Sequence, residues 1–185
     1  MKDIAFAEGR IDFPEDIWSL RRFRLSLDFV NKHIPVMSNI LDLGTENGLS
    51  YMMRHGGYNV TNTRGEDLDL EHSNLFISYD RAEVVTAFEI LEHLVNPFGV
   101  LMFLPTDRLI ASVPLRLRFA KAYNASPKDR HFHEFEAWQF DWLLEEAGWK
   151  ILDREYHTSP TFRLGLRSIL RWVTPRWYFV YAIKA

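Results

Sequence analysis

The chain is predicted to fold as an α/β protein around a parallel sheet, because short apolar segments alternate along it with segments of helical periodicity. An apolar run over residues 39–43 leads through a glycine-containing turn into a helix over 48–55 and then into a strand over 58–63. Further strands are predicted over 82–87, 109–113, 149–156 and 177–183. In open sheets of this kind, ligands bind at the carboxyl ends of the strands.

The helices are predicted from apolar spacing and from the residues that end them. An amphipathic helix opens the chain between Pro14 and Ile34, with the proline near its first turn. Gly56 and Gly57 end the helix that begins at Gly48. Three more helices are predicted over 89–95, 136–147 and 166–173.

Two stretches have no regular pattern. Residues 64–80 are polar and irregular, and residues 115–135 form a candidate lid. The 185 residues contain no linker or repeat, and this length is typical of one domain. We expect a single domain over 1–185, with a helical cap over 1–36 and a Rossmann-like core over 37–185.

Composition excludes several classes of site. The chain has no cysteine, so disulfides, thiolate metal sites and thiol nucleophiles are excluded. The net charge of −3 argues against a large sequence-independent affinity for nucleic acid. No stretch reaches the roughly 18 apolar residues of a membrane span, and no long apolar core follows Met1, so a cytoplasmic protein is expected. Peripheral membrane contact and the oligomeric state stay open.

The turn from Asp42 to Gly48 is the most informative motif. A buried strand that breaks into a glycine-bearing turn and then a helix directs backbone N–H groups at a ligand, and glycine permits close approach. This order predicts a nucleotide-type cofactor. The middle glycine that such turns usually carry is replaced by Glu46.

At these residues the chain resembles the class I S-adenosylmethionine-dependent methyltransferases, over about residues 38–156. Asp42, Gly44 and Gly48 match the acidic residue and glycines of the first turn. The segment from Val84 to Pro97 is similar to the fourth-strand segment of quinone-biosynthesis O-methyltransferases, and Leu143 to Trp149 to the end of a later helix. The resemblance implies a Rossmann-like seven-stranded sheet with helices on both faces and an antiparallel last strand.

The resemblance also implies that the protein binds S-adenosylmethionine. Asp42 would orient the turn and accept from the amino group of the cofactor, or would serve only as a structural cap. Phe88 would pack beside the cofactor. Arg64 stands where relatives carry a carboxylate for the ribose, and the nearest carboxylates include Asp67. The candidate cofactor residues are Asp42, Gly44, Thr45, Glu46, Gly48, Arg64, Asp67, Phe88 and Glu89.

A second motif supplies candidate metal ligands. Glu89, Glu92 and His93 have helical i, i+3, i+4 spacing, and this donor set suits Mg²⁺ or Mn²⁺. The segment resembles the Glu-x-x-Glu-His metal motif of quinone O-methyltransferases and small-RNA 2′-O-methyltransferases. By the latter resemblance, His133 becomes a fourth ligand. In metal-free relatives the corresponding Glu and His serve capping and packing, which leaves His93 or His133 as a catalytic general base.

Three functions are consistent with these patterns. The leading hypothesis is O-methylation of a small or lipidic acceptor. The second is a degenerate methyltransferase fold that only binds a partner, favoured by Glu46 and Arg64. The third is an RNA 2′-O-methyltransferase-like enzyme. Arginines at 163, 167 and 171, with Trp172 and Arg176, would meet an anionic acceptor or a lipid surface, or form a solvated helix face.

Overall fold

A mixed sheet lies at the centre of the computed structural model, which describes residues 17–70, 76–117, 130–160 and 166–185. Its strands are β1 (Asn39–Asp42), β2 (Asn59–Asn62), β3 (Val84–Phe88), β4 (Arg108–Pro114), β5 (Trp149–Thr158) and β6 (Pro175–Lys184). The spatial order is β2-β1-β3-β4-β6-β5. The first four strands are parallel, and β6 runs antiparallel to both β4 and β5.

The strand count corrects one expectation. The sheet has six strands within the described ranges, not seven, whereas the antiparallel last strand is confirmed. The strand β2 lies at the outer edge, and the described part of the connection to β3 holds a short 3₁₀ helix at Phe76–Tyr79. The connection from Thr63 to Glu83 is too short for both a crossover helix and a further strand of usual length.

The helices are α1 (Ile17–His33), α2 (Gly48–His55), α3 (Pro97–Phe103), α4 (Ala137–Glu146) and α5 (Leu166–Val173). Four of them coincide with predicted helices, and α3 is an addition. The side chain of Asn96 accepts from the backbone of Gly99 and caps α3, and Pro97 occupies its first turn. None of the described helices is long and apolar enough to cross a membrane.

Helices cover both faces of the sheet, as predicted. Alternate strand residues point to opposite faces, so neighbouring residues such as Ile40 and Leu41 enter different cores. The core under α1 and α2 contains Phe29, Val30, Ile40, Leu49, Met53, Val84, Ile110 and Phe179. The core under α3 and α4 contains Leu41, Val85, Val100, Leu101, Leu109, Phe140, Leu144, Trp149 and Tyr178. Each such side chain contributes about 1.5–3 kcal/mol on burial.

Parts of the predicted segments lie outside the described residues. These parts are residues 1–16 of the helical cap with Pro14, residues 71–75 of the irregular stretch, residues 118–129 of the candidate lid, and Arg163.

Charged side chains attach the end of α1 to β5. Lys32 Nζ lies 2.6 Å from Asp153 Oδ2 and 2.7 Å from Glu155 Oε1, and His33 Nε2 lies 3.0 Å from the same Asp153 oxygen. The hydrogen bond from Lys32 lowers the pKa of Asp153. The ionised form of Asp153 is therefore the one that the folded state stabilises.

The variant Asp153→Asn should lower the free energy of unfolding by about 0.5 kcal/mol near neutral pH, because the pair is partly solvent-exposed. A lowered folded-state pKa means that this contribution is present above the unfolded pKa of about 3.9 and is lost as pH falls through the folded value. Urea denaturation of both proteins between neutral and acid pH measures the difference. The exposed Asp80→Asn is the control, and a difference that grows towards acid pH would contradict the assignment.

Candidate functional site

A cavity of about 700 Å³ opens at the carboxyl ends of the parallel strands. One wall comes from the turn between β1 and α2, and another from the segment that follows β3. Helix α1 and the region where α5 leads into β6 complete it. The size and the mixture of apolar and polar walls are typical of a small-molecule site.

The turn between β1 and α2 takes the shape that its glycine predicts. Gly44 has φ +103°, a left-handed conformation that favours glycine, and its N–H donates to Thr63 Oγ1 at 2.7 Å. Asn47 caps α2, since its side chain accepts from Leu49 N at 2.8 Å and from Ser50 N at 3.2 Å. Asn47 lines the cavity.

The buried carboxylate of Asp42 binds three neutral donors. Thr86 Oγ1 donates at 2.7 Å, Ser50 Oγ at 2.8 Å and Asn62 Nδ2 at 3.0 Å. Asp42 is only 2% exposed, and this burial raises its pKa while the three hydrogen bonds oppose the shift. Asp42 reaches the cavity wall, but its carboxylate is directed at β2, β3 and α2. The geometry is that of the structural cap.

Glu46 is held away from the cavity. Its exposed carboxylate is paired with the Arg54 guanidinium, which also donates to Asn62 Oδ1 at 2.9 Å and to Val60 O at 3.2 Å. Thr45 is exposed as well, and Gly48 is the buried first residue of α2. None of Gly44, Thr45, Glu46 and Gly48 is among the lining residues.

The residues that follow β2 also lie outside the cavity. Arg64 is exposed, and its backbone N–H donates to the Glu66 side chain. Asp67 is exposed and accepts from Asp69 N at 3.0 Å. The Asp69 carboxylate in turn accepts from Val95 N and Asn96 N. Asp69 thus holds the backbone at the start of α3, and none of these carboxylates is part of the cavity wall.

Phe88 and Glu89 form the wall at the end of β3. Glu89 has φ +52°, an uncommon value for a residue with a side chain, and its N–H donates to Ser112 O at 3.0 Å. Its side chain, 9% exposed, accepts from Ser112 Oγ at 3.0 Å and lies 3.5 Å from Arg22 Nη1. Burial raises the pKa of Glu89, and the charges of Arg22 and Arg176 oppose this shift.

The segment after Glu89 corrects the predicted helix over 89–95. Only Leu91–His93 form a helical turn, of 3₁₀ type. Because Glu89 precedes this turn in a left-handed conformation, its side chain is directed at Arg22 and Ser112, and it does not share a helix face with Glu92 and His93. The structure thus separates two of the predicted metal ligands, Glu89 and His133, from Glu92 and His93.

A different group of three side chains lies together. Glu92 is 1% exposed, and its Oε1 lies 3.7 Å from His93 Nε2. The ring of His131 stands perpendicular to that of His93, with centroids 4.7 Å apart. Ligand atoms of these three residues all lie within 4.8 Å of one another, and all three residues line the cavity. Two imidazoles and a carboxylate are a donor set that suits Mn²⁺ or a transition metal better than Mg²⁺.

The backbone of Glu92 explains why His131, and not His133, reaches the cavity. The Glu92 carbonyl accepts from Phe132 N at 2.8 Å and from His133 N at 3.2 Å, which places the preceding residue beside His93. His133 instead stacks on Phe135 and has its Nε2 3.4 Å from Val95 O. The sequence pattern directed attention to this segment, but it could not select between two histidines two residues apart.

Further lining residues were not singled out in the sequence. Arg22, Phe23 and Ser26 come from α1, Ser159 follows β5, and Trp177 lies in β6. No sequence pattern distinguishes these residues, because several arginines occur in α1 and periodicity alone does not decide which of them faces a site. Arg24, two residues from Arg22, is exposed.

Comparisons with known proteins show which fold this chain has. No family model matches the chain, and no curated protein matches it in sequence. Among solved structures, the 1,6-didemethyltoxoflavin-N1-methyltransferase of Burkholderia thailandensis, with its substrate and S-adenosylhomocysteine bound, is 15% identical with a TM-score of 0.64, over 89% of this chain and 78% of that one. Magnesium protoporphyrin IX methyltransferase from Synechocystis, also with S-adenosylhomocysteine, is 12% identical with a TM-score of 0.56, over 96% of this chain and 90% of that one.

The fold also occurs in a protein named for a different activity. The [4+2]-cyclase SpnF is 14% identical with a TM-score of 0.54, over 90% of this chain and 85% of that one. At such identities the likeness concerns the fold. The parallel strands β1 to β4, the antiparallel β6 and the cavity at the strand ends therefore identify this chain as having the fold of the class I S-adenosylmethionine-dependent methyltransferases.

Proposed function

We propose that this protein is an S-adenosylmethionine-dependent methyltransferase that methylates an oxygen atom of a small-molecule acceptor. The observation that carries the proposal is the single cavity that joins the β1–α2 turn to Glu89, His93 and His131. Neighbours of the same fold hold S-adenosylhomocysteine, the product that methyl transfer leaves. Methyl transfer needs a place for the cofactor, here the β1–α2 turn, and an adjoining space for the acceptor.

The chain offers residues that fit the cofactor. Asn47 and Leu43 of the β1–α2 turn and the ring of Phe88 would hold S-adenosylmethionine, which supplies an activated methyl group when bound. The side chain of Glu46 does not obstruct this place, because Arg54 holds it on α2. Orientation of the acceptor against the methyl group then accounts for most of the catalysis.

His93 is proposed as the general base. Its Nδ1 lies 3.1 Å from Arg130 O, and a carbonyl can only accept, so in the neutral ring Nδ1 carries the proton and Nε2 is the unprotonated nitrogen. The Glu92 carboxylate, 3.7 Å from Nε2, would stabilise the imidazolium that forms. An acceptor hydroxyl would give its proton to Nε2 as its oxygen attacks the methyl group.

A binding protein without transferase activity is the second candidate. Arg64 stands at the end of β2 where relatives carry a carboxylate for the ribose, and both Arg64 and Asp67 lie outside the cavity. This observation weakens the place for the ribose hydroxyls. Cofactor binding separates the two candidates.

Calorimetric titration of the purified protein with S-adenosylhomocysteine should give a dissociation constant in the micromolar range. The variant Gly44→Ala should weaken binding by about tenfold, because it strains the turn at φ +103° and places a Cβ 3.4 Å from Ile90. Gly148→Ala is the matched control, since it introduces similar strain at φ +84° with no atom within 4 Å and far from the turn. Absence of binding at millimolar ligand would favour the protein without transferase activity, and equal loss in both variants would contradict the role of the turn.

The variant His93→Gln should lower kcat for methyl transfer to hydroxylated aromatic acceptors by about 10²- to 10⁴-fold while leaving the affinity for S-adenosylhomocysteine unchanged. His133→Gln, on the neighbouring segment but outside the cavity, should retain activity. Radiolabel transfer from S-adenosylmethionine measures both. Activity that disappears with a chelator and returns with Mn²⁺ would instead assign Glu92, His93 and His131 to a metal ion.

A further inference from the structure

Three arginine residues line the cavity. Arg22 comes from α1, Arg171 from the last turn of α5, and Arg176 from the start of β6. Because β6 is antiparallel to β4, its first residues lie beside Pro114 at the carboxyl end of the sheet. Elements that are remote in sequence thus bring positive charge to the same cavity.

Among the described residues, the three arginines of the cavity have fewer carboxylate partners than their own number. Arg22 Nη1 lies 3.5 Å from Glu89 Oε2, and Arg176 influences the same carboxylate through its charge. Within the described residues, no carboxylate oxygen forms an ion pair with Arg171 or Arg176. Two guanidinium groups therefore line a partly enclosed cavity with donors available for an anion.

A buried hydroxyl lies on the same cavity wall. Ser26 is fully buried, and its Oγ has no hydrogen-bond partner among the described residues. A buried hydroxyl without a hydrogen-bond partner destabilises the protein. A ligand that supplies a hydrogen bond to this hydroxyl would remove that cost. Phe23, Phe88 and Trp177 contribute aromatic surface to the apolar part of the lining. The ligand that fits this chemistry has an apolar body with an anionic group.

Arg171 and Arg176 lie away from the turn proposed for the cofactor. The strands β1 and β6 are separated in the sheet by β3 and β4, which amounts to three strand spacings or about 14 Å. The turn follows β1, whereas Arg176 begins β6 and Arg171 precedes it. The arginines are therefore placed to hold the acceptor.

We propose that the methyl acceptor carries a carboxylate or phosphate group and that Arg171 and Arg176 bind this group. The inference rests on the proposed transferase function. It narrows the acceptor to molecules that combine an apolar body with one anionic group. Arg22 remains paired with Glu89 and positions that carboxylate at the cavity wall.

The experiment measures anion binding to the full chain saturated with S-adenosylhomocysteine. Benzoate, phenyl phosphate and inorganic phosphate are titrated at constant ionic strength, and phenol serves as the neutral analogue. The double variant Arg171→Gln/Arg176→Gln is compared with Arg24→Gln/Arg108→Gln, which removes the same charge from exposed positions outside the cavity. Benzoate and phenyl phosphate distinguish the carboxylate from the phosphate.

We expect at least one aromatic anion to bind the unmodified protein about tenfold or more tightly than phenol, and the cavity variant to lose this preference while the control keeps it. Unchanged affinity for S-adenosylhomocysteine in the cavity variant is part of the expected result. Loss of that affinity would assign the arginines to the cofactor carboxylate and overturn the proposal. Equal binding of phenol, equal loss in both variants, or no anion binding at millimolar concentration would also overturn it.

Failure of the proposed function gives a different result. If S-adenosylhomocysteine does not bind but an aromatic anion still binds through Arg171 and Arg176, the cavity is an anion site without a cofactor. The transferase proposal then fails, and with it the identification of the anion as a methyl acceptor.

Discussion

The buried carboxylate of Asp42 is the interaction on which the arrangement of the site depends. It accepts from Ser50 on α2, Asn62 on β2 and Thr86 on β3, so it connects the neighbouring elements at the strand ends. A buried charge is tolerated only when its hydrogen-bonding capacity is satisfied, and three donors satisfy it here. The turn that begins one residue later thereby receives a fixed starting point, and the end of β3 is held at a fixed distance from it.

The order of strands and helices could be predicted from sequence, because period-two and period-3.6 patterns reflect which residues enter a core. Ile40 and Leu41 show why, since each contributes to a different core and both positions had to be apolar. Helix α3 was missed because it is short, although Asn96 and Pro97 carry the signature of a helix start. The seventh strand was inferred from resemblance, and the short connection before β3 contained the contrary evidence.

The candidate site was less predictable, because side-chain direction depends on tertiary contacts. The spacing of Glu89, Glu92 and His93 suggested one helix face, but Glu89 is left-handed with its N–H bonded to Ser112 O, and only a 3₁₀ turn follows it. His131 and not His133 lines the cavity because the Glu92 carbonyl accepts from the backbone of residues 132 and 133. No sequence pattern reveals this contact. Arg22 and Ser26 face the cavity because α1 packs on α2 and β6 in one particular rotation.

The segment between β4 and α4 is fastened at both ends by main-chain hydrogen bonds. Leu115 pairs with Phe135, Arg116 N donates to Phe135 O, and the Glu92 carbonyl holds residues 132 and 133. These contacts use backbone atoms, which every amino acid other than proline can supply in full. Replacements of the side chains at these anchors consequently leave the main-chain contacts, and with them the position of His131, in place. The fold thus permits sequence change beside the cavity during evolution, while the two imidazoles of His93 and His131 keep their geometry.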